Sequence, residues 1–230
     1  MKKVFIFFIC ALFISSVQAK TYTREEVSCN DKDFCTDLSG EPVTGIINDG
    51  NAVFNYSIEY KNGLRHGLAK VYYSETGSLN RSTEYDNGVR KITTQYLDNG
   101  TVSSKYIYKN DELVEALHYW CNTDKIYEVS DIQNGSHTYY YKSGEKQHTM
   151  DTEGNQEFFT KSGEKFAFVN RQGIFCKEKN GEYKKNNKNT GAKSKKMEKI
   201  LDDLAHHDIK LGGTCSPDDE KEHDFTFLCE

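Results

Sequence analysis

Proline is nearly absent from this 230-residue sequence, which has two prolines and none between residues 43 and 216. Since proline cannot donate a hydrogen bond to a β-ladder, its absence permits long uninterrupted strands. Long apolar runs are equally scarce: residues 4–14 fall short of the roughly 20 residues that a membrane-spanning helix needs. The composition therefore favours a β-rich chain with no transmembrane segment after its N-terminus.

Recognisable catalytic and metal-binding motifs are also missing. The sequence has no Gly-x-Ser-x-Gly elbow, phosphate-binding loop, His-Glu-x-x-His motif or Cys-x-x-Cys pair. The adjacent His206 and His207 are interpreted as a solvated helix face, His66 as a turn residue and His118 as a strand residue. We therefore predict no catalytic residue, no cofactor and no metal site; an unrecognised hydrolase is the less favoured alternative.

The first 19 residues have the character of a secretory signal. Lys2 and Lys3 precede the apolar run, and small residues lead to Ala19, after which we expect cleavage. The mature chain would begin at Lys20 and be periplasmic or secreted. Loss of the two lysines changes the formal net charge from −5 to −7, so a nucleic-acid partner is not expected.

Six cysteines follow the predicted signal, and an even number in an oxidising compartment points to disulfides. Sequence alone leaves all 15 pairings of six cysteines open. Proximity along the chain favours Cys29–Cys35 and Cys215–Cys229. That choice leaves Cys121 to pair with Cys176.

Two sets of tandem repeats occupy the middle of the chain. In the first set, Tyr-x-Asn-Gly begins at Tyr60 and Tyr85 and returns at Tyr108 with aspartate in place of glycine. In the second, glycines recur every 19 residues at Gly135, Gly154 and Gly173, and Lys-Ser-Gly-Glu-Lys occurs twice. Fixed periods of this size predict stacked copies of one supersecondary unit. A second series of tyrosines is interleaved with the first at a period of 23: Tyr73, Tyr96 and Tyr119.

The glycines also predict where hairpins turn. Asp-Gly and Asn-Gly pairs favour type I′ turns, which need positive φ at both central residues. The candidate pairs are Asp49-Gly50, Asn62-Gly63, Asn87-Gly88 and Asn99-Gly100. At hairpin tips we expect positive φ at Gly63, Gly77, Gly88 and Gly100.

The expected fold class is all-β, an elongated single-layer antiparallel sheet of tandem hairpins with a short C-terminal helix. We divide the chain into a signal (1–19), an N-terminal disulfide segment (20–45), a first hairpin array (46–124), a second array (125–183) and a C-terminal region (184–230). That region combines a lysine-rich linker, a disulfide tail and a helix capped by Ser194 and ended by Gly212-Gly213. Its apolar residues follow helical spacing: Met197, Ile200, Leu201 and Leu204.

Residues 60–79 resemble a bacterial variant of the MORN repeat, with matches at Tyr60, Asn62, Gly63, Gly67, Tyr72, Tyr73, Gly77 and Leu79. Two degenerate copies extend the resemblance over roughly residues 50–120. It implies a sheet of consecutive hairpins in a non-catalytic scaffold that binds proteins or membrane lipids. Some bacterial proteins of this kind are described as antitoxins.

These features predict a non-enzymatic module that binds a protein partner, one concrete version being a periplasmic immunity protein. Tyrosine and tryptophan suit such a surface because they bury much area at low entropic cost. The candidate binding face is Tyr72, Tyr85, Tyr96, Tyr108, Tyr119 and Trp120.

The alternative is an envelope-glycan or cell-surface binding protein, in which aromatic rings stack on sugars. The aromatic clusters at residues 139–141 and 158–159 suggest it. Packing within the sheet is favoured for these rings, because a single-layer sheet needs cross-strand aromatic pairs to hold together.

Overall fold

The structure is a computed structural model that describes residues 19–188, 190–205 and 222–230. The predicted signal therefore lies outside the described residues, apart from Ala19. Seventeen strands are described: β1 (Thr21–Thr23), β2 (Val27–Cys29), β3 (Cys35–Asp37), β4 (Gly45–Gly50), β5 (Phe54–Lys61), β6 (Leu64–Tyr73), β7 (Leu79–Asp86), β8 (Val89–Tyr96), β9 (Val102–Lys109), β10 (Glu112–Tyr119), β11 (Ile126–Asp131), β12 (Ser136–Tyr140), β13 (Lys146–Met150), β14 (Gln156–Phe159), β15 (Lys165–Asn170), β16 (Gly173–Lys177) and β17 (Tyr183–Lys185).

Fifteen of these strands form one open sheet. Strands β4 to β17 follow one another in chain order as antiparallel neighbours, and β1 adds to β4 in parallel. Strands β2 and β3 form a separate pair near the N-terminus. The predicted elongated, single-layer, all-β architecture is confirmed, and the two repeat sets lie in the same continuous sheet.

Two kinds of turn alternate between β5 and β11. At one edge, two-residue turns have positive φ at both central residues, 52° and 82° in Asn62-Gly63 and 49° and 84° in Asn87-Gly88. The turn at Asn110-Asp111 is alike, with φ of 53° and 66°, because aspartate tolerates this conformation in place of glycine. These turns match the right-handed twist of the strands that they join.

Longer turns lie at the opposite edge and, at β11–β12 and β13–β14, at the same edge. From the β6–β7 turn to the β14–β15 turn, each longer turn contains one residue with positive φ. The amide of Gly100, for example, donates to the carbonyl of Leu97 over 2.8 Å. The predicted type I′ turn at Asn99-Gly100 is therefore wrong, since only Gly100 has positive φ. Asp49-Gly50 is not a hairpin tip, because both residues lie within β4. Positive φ at Gly63, Gly77, Gly88 and Gly100 is confirmed.

Cross-strand pairing assigns side chains to two faces, because residues directly opposite share a face and neighbours along a strand alternate. The front face carries this row of partners: Ile47, Ile58, Ala69, Thr83, Thr93, Tyr106, Ala116, Ser130, His137, Met150 and Gln156. The back face carries the adjacent row: Asn48, Ser57, Lys70, Ser82, Thr94, Lys105, Leu117, Val129, Thr138, Thr149 and Glu157.

Two hydrophobic cores cover the ends of the front face. The N-terminal core packs the β2–β3 segment on the sheet and comprises Tyr22, Val27, Cys35, Val43, Ile47 and Tyr60. The C-terminal core packs the helix α1 (Thr190–Ala205) and the last residues of the chain on the sheet. It comprises Trp120, Tyr127, Tyr139, Phe158, Ala167, Ile174, Met197, Phe225 and Leu228. The front face of the central strands lies between these two cores.

Helix α1 begins earlier than the sequence predicts. It starts at Thr190, so Ser194 lies inside the helix and does not cap it. Met197 is buried in the C-terminal core, and Ile200 and Leu201 pack against that core. The side chain of Leu204 and the predicted stop at Gly212-Gly213 lie outside the described residues.

The disulfides correct two of the predicted pairings. Cys29 pairs with Cys35 as expected, but Cys176 pairs with Cys229. The predicted Cys121–Cys176 and Cys215–Cys229 bridges are therefore wrong, because the C-terminal segment folds back onto β16. Cys121 is also disulfide-bonded, and Cys215 lies outside the described residues.

Replacing Gly88 by valine tests the turn geometry. Its φ of +84° should strain a β-branched residue by about 1–3 kcal/mol, although a Cβ there would meet Leu64 at an ordinary 3.6 Å. Gly191→Val is the control, because Gly191 lies in α1 and a Cβ added there would meet no atom within 4 Å. This control should change stability by less than about 0.5 kcal/mol. Equal losses in urea unfolding would contradict the turn assignment.

Candidate binding surfaces

The six residues of the predicted binding face do not form one surface. Tyr85 and Tyr108 follow Thr83 and Tyr106 by two residues and so lie on the front face. Trp120 is only 3% exposed and belongs to the C-terminal core, so its proposed place on a binding face is wrong. The remaining three lie on the back face: Tyr72, Tyr96 and Tyr119.

The front-face tyrosines belong to a row that alternates with arginines beside the two-residue turns. Tyr60 pairs with Arg65 across one turn, and Tyr85 pairs with Arg90 across the next. The Arg65 guanidinium lies 5.4 Å from the Tyr85 ring centroid, and that of Arg90 lies 4.0 Å from the ring of Tyr108. We call these five residues the Tyr–Arg row.

The two arginines of this row differ in their surroundings. Arg65 donates to the Asp33 carboxylate over 3.0 Å and to the Tyr85 hydroxyl over 3.3 Å. The Arg90 guanidinium has no ion pair with a carboxylate among the described residues; the Asp111 carboxylate accepts from the Arg90 backbone amide over 2.8 Å. Stacking on Tyr108 holds the guanidinium in place without an ion pair in this part of the chain.

The back-face tyrosines belong to a longer row at the opposite edge. In each of β6, β8, β10, β12 and β14, the back-face position just before the long turn is aromatic, and all five side chains are half-buried. A register shift lies directly before this position each time, so that the ring lies opposite the first residue of the next strand. We call this set the back aromatic row: Tyr72, Tyr96, Tyr119, Tyr140 and Phe159.

A depression of about 730 Å³ adjoins the middle of the back aromatic row. The Tyr119 ring and Val102 supply apolar surface, and the adjoining turns supply Asn122 and Asp124. The Lys105 ammonium lies 5.9 Å from the Tyr119 ring centroid. Aromatic, donor and acceptor groups therefore converge at this place on the surface.

A cluster of titratable side chains lies on the front face of β11 and β12. The Glu128 carboxylate, only 9% exposed, accepts from Ser130 Oγ over 2.8 Å and from His137 Nδ1 over 2.9 Å. Burial acts to raise the pKa of Glu128, but the hydrogen bonds from His137 and Ser130, together with the nearby His118 and His137 rings, lower the pKa below its ordinary value. The bond to Glu128 raises the pKa of His137.

This serine, histidine and glutamate are not arranged as a nucleophilic triad. In such a triad the serine and the carboxylate contact different ring nitrogens of the histidine. Here Ser130 Oγ and the Glu128 carboxylate both contact Nδ1 of His137, and the serine proton is donated to the carboxylate. The cluster therefore fixes the imidazole and does not activate the serine. No group of three or more metal-ligating side chains occurs among the described residues.

His148 is fully buried in the next part of the same face, stacked between the rings of Tyr139 and Phe158 at 5.1 and 4.9 Å. Its Nε2 contacts the Gln156 amide oxygen over 3.0 Å, while Nδ1 has no partner in the described part of the chain. Burial penalises the charged imidazolium and lowers the pKa of His148 to about 4. The side chain is therefore neutral and structural at neutral pH.

The pKa of His148 predicts a loss of stability in mild acid. An unfolded histidine binds a proton near pH 6.5, whereas folded His148 does so only near pH 4. Between these values the unfolded chain holds more protons, so stability falls as the pH falls, by about 3 kcal/mol in total. The raised pKa of His137 acts in the opposite direction, because its stabilising effect is present below pH 6.5 and lost as the pH rises.

The variant His148→Gln isolates this effect. Urea unfolding at several pH values between 7 and 5 gives, for each protein, the slope of the free energy of unfolding against pH. The contributions of His137 and the carboxylates are the same in both proteins, so they cancel in the difference between the two slopes. We expect a shallower slope in the variant, by up to about 1.4 kcal/mol per pH unit. Identical slopes would mean that His148 titrates as an exposed histidine.

The predicted binding face lacks the arginines of the Tyr–Arg row and two of the five rings of the back aromatic row, Tyr140 and Phe159. The signal for the first was present, because Tyr-x-Asn-Gly-x-Arg occurs at both Tyr60 and Tyr85. In the sequence Tyr140 and Phe159 stand beside the aromatic residues Tyr139 and Phe158, whose side chains point to the opposite face. Only the register shifts beside each long turn reveal that these rings continue the row of Tyr72.

No protein-family model and no curated protein match the sequence. The solved structures that it matches include two with a weak likeness. One is the crystal structure of the GtfA/B complex bound to UDP and GlcNAc, at 14% identity and TM-score 0.26, over 53% of this chain and 24% of that chain. The other is accessory secretory protein 1, 2 and 3 in Streptococcus pneumoniae, at 12% identity and TM-score 0.26, over 64% and 22%.

This chain spans about a quarter or less of the length of the chains that it matches. A likeness this weak assigns neither a fold family nor a function. The resemblance to MORN-type repeats remains a prediction. Among the described residues, no helix is both long and apolar enough to cross a bilayer.

Proposed function

We propose that this protein is an exported, non-enzymatic module that binds a protein partner through the Tyr–Arg row. The observation that carries the proposal is the half-buried cation of Arg90, stacked 4.0 Å from the Tyr108 ring and without a carboxylate partner in the described residues. Tyrosine and arginine are enriched among the few residues that carry most of the binding energy of protein interfaces. A periplasmic immunity protein that neutralises a toxin is one concrete version of this function.

The geometry of the row suits an interface in two further ways. Its rings and guanidiniums are held against one another before binding, so little side-chain entropy remains to be lost. Beyond Tyr60, which belongs to the N-terminal core, the row also lies on the central front face, where Tyr85, Arg90 and Tyr108 are half-buried. A planar guanidinium at this place favours a partner that presents carboxylates, which it can bind in bidentate fashion.

Site-specific photo-crosslinking in the cells that produce the protein tests this proposal. A benzophenone side chain at Tyr108 should give a discrete protein adduct, and Arg90→Ala should abolish it. Ile107 provides the matched control, because it is the adjacent half-buried residue and points to the back face. Equal adducts from both positions, or an adduct that persists without Arg90, would refute the Tyr–Arg row as the binding site.

A further inference from the structure

The aromatic rings of the two faces pack in different ways. On the front face, rings on adjacent strands touch: His118, Tyr127, Tyr139, His148 and Phe158 form a chain of contacts with centroids 4.9–6.2 Å apart. None of the five rings of the back aromatic row has an aromatic contact among the described residues. Packing within the sheet explains the front-face rings but leaves the back aromatic row unexplained.

From this row we infer a second binding site, for a neutral, linear, β-linked polysaccharide. The site lies on the opposite face from the Tyr–Arg row and does not depend on the protein-binding function. It would add the attachment of the protein to a glycan surface, with the front face directed away from that surface.

The spacing of the rings points to this ligand. Successive rings are two strands apart, a distance of about 9.6 Å. In an extended β-1,4-linked chain of pyranoses, alternate sugars are turned by half a rotation, so every second sugar presents the same C–H face. This disaccharide repeat is close to the ring spacing, and one sugar in two can stack on a ring of the row.

Other extended polymers fit the row less well. A peptide strand presents side chains on one face every 6.6 to 6.8 Å, or about two residues, and so loses register with the rings. A nucleic acid would bring a phosphate charge with every base to a protein whose formal net charge is −5. An uncharged ligand with flat apolar faces avoids both problems.

The polar groups at Tyr119 suit sugar hydroxyls. Lys105 offers donors and Asp124 offers acceptors, and neither has a hydrogen bond or ion pair with another described residue. Their opposite charges give the site no preference for a charged ligand, whereas hydroxyls can both donate and accept. The depression of about 730 Å³ lies within the size range of small-ligand sites and can hold one or two sugar rings.

Calorimetric titration of the full-length mature protein with defined oligosaccharides tests the inference. Cellohexaose can span three rings, whereas cellobiose reaches one, so we expect at least about tenfold tighter binding of the hexasaccharide. Maltohexaose is the matched control, because it has the same sugars and length but α-linkages that curl the chain. We expect it to bind at least about tenfold more weakly than cellohexaose.

Single variants assign the binding to the row. Tyr119→Ala should weaken cellohexaose binding about tenfold, whereas Tyr108→Ala, on the front face, should leave it unchanged. Thermal melting checks that both variants fold. The comparison of cellobiose with cellohexaose uses the unaltered protein, so it tests the inference even if a variant does not fold. Equal binding of the two hexasaccharides, or no binding of either, would overturn the inference. A protein adduct from a benzophenone at position 119, without cellohexaose binding, would assign the row to a protein partner instead.

Discussion

Phe158→Ala should lower the free energy of unfolding by about 4 kcal/mol, several times the effect expected of the same substitution at the neighbouring Phe159. The Phe158 side chain is fully buried, and its centroid lies 4.9 Å from both the His148 and the Phe225 rings. Truncation would remove the transfer free energy of the ring and leave a cavity where the sheet meets the C-terminal segment. Such cavities collapse only partly, because neither the sheet backbone nor the stacked rings can move far.

Phe159→Ala is the matched control. Phe159 is the next residue in β14 and has the same side chain, but it points to the back face and is half-buried. Its truncation should cost about 1 kcal/mol, because part of the ring is already in contact with water. Urea unfolding followed by Trp120 fluorescence would report the C-terminal core directly, since Trp120 belongs to it. Similar losses for the two variants would contradict the assignment of the two faces.

The parts of the fold that the sequence predicts are those with local causes. Asn-Gly pairs set positive φ within two residues, so the tips at Asn62-Gly63 and Asn87-Gly88 are correct. Alternation of apolar and polar residues then predicts the strands between the tips. The all-β hairpin architecture follows from these two signals, without any knowledge of long-range contacts.

The composition of the binding surfaces could not be predicted in the same way. The face on which a residue lies after a turn depends on the turn length and on the register shift beside it. Tyr72, Tyr85, Tyr96 and Tyr108 are all predicted to lie on one binding face, yet the structure divides them between two faces. The predicted Cys215–Cys229 pairing is wrong for a related reason, because it assumes that cysteines close in sequence pair with each other. Cys229 instead pairs with Cys176, 53 residues away, because the C-terminal segment returns to the sheet.

That segment docks through several contacts. The Glu222 carboxylate accepts from the amide of Lys142 over 2.8 Å, and the carbonyl of Leu228 accepts from Asn186 over 2.9 Å. Phe225 and Leu228 are 2% and 0% exposed. The Cys176–Cys229 disulfide therefore closes a large loop whose far end is already held in the core.

Removing the Cys176–Cys229 bridge by alanine substitution of both cysteines should cost about 4 kcal/mol. In the chain-entropy model, the cost follows from the 53-residue separation that the bridge closes in the unfolded chain. Removing Cys29–Cys35 in the same way should cost about 2 kcal/mol, because its separation is only 6 residues. Urea unfolding of both double variants without reductant measures the difference. A smaller loss for the long loop would show that the C-terminal segment stays ordered near β16 in the unfolded chain, so that the bridge restricts little additional freedom.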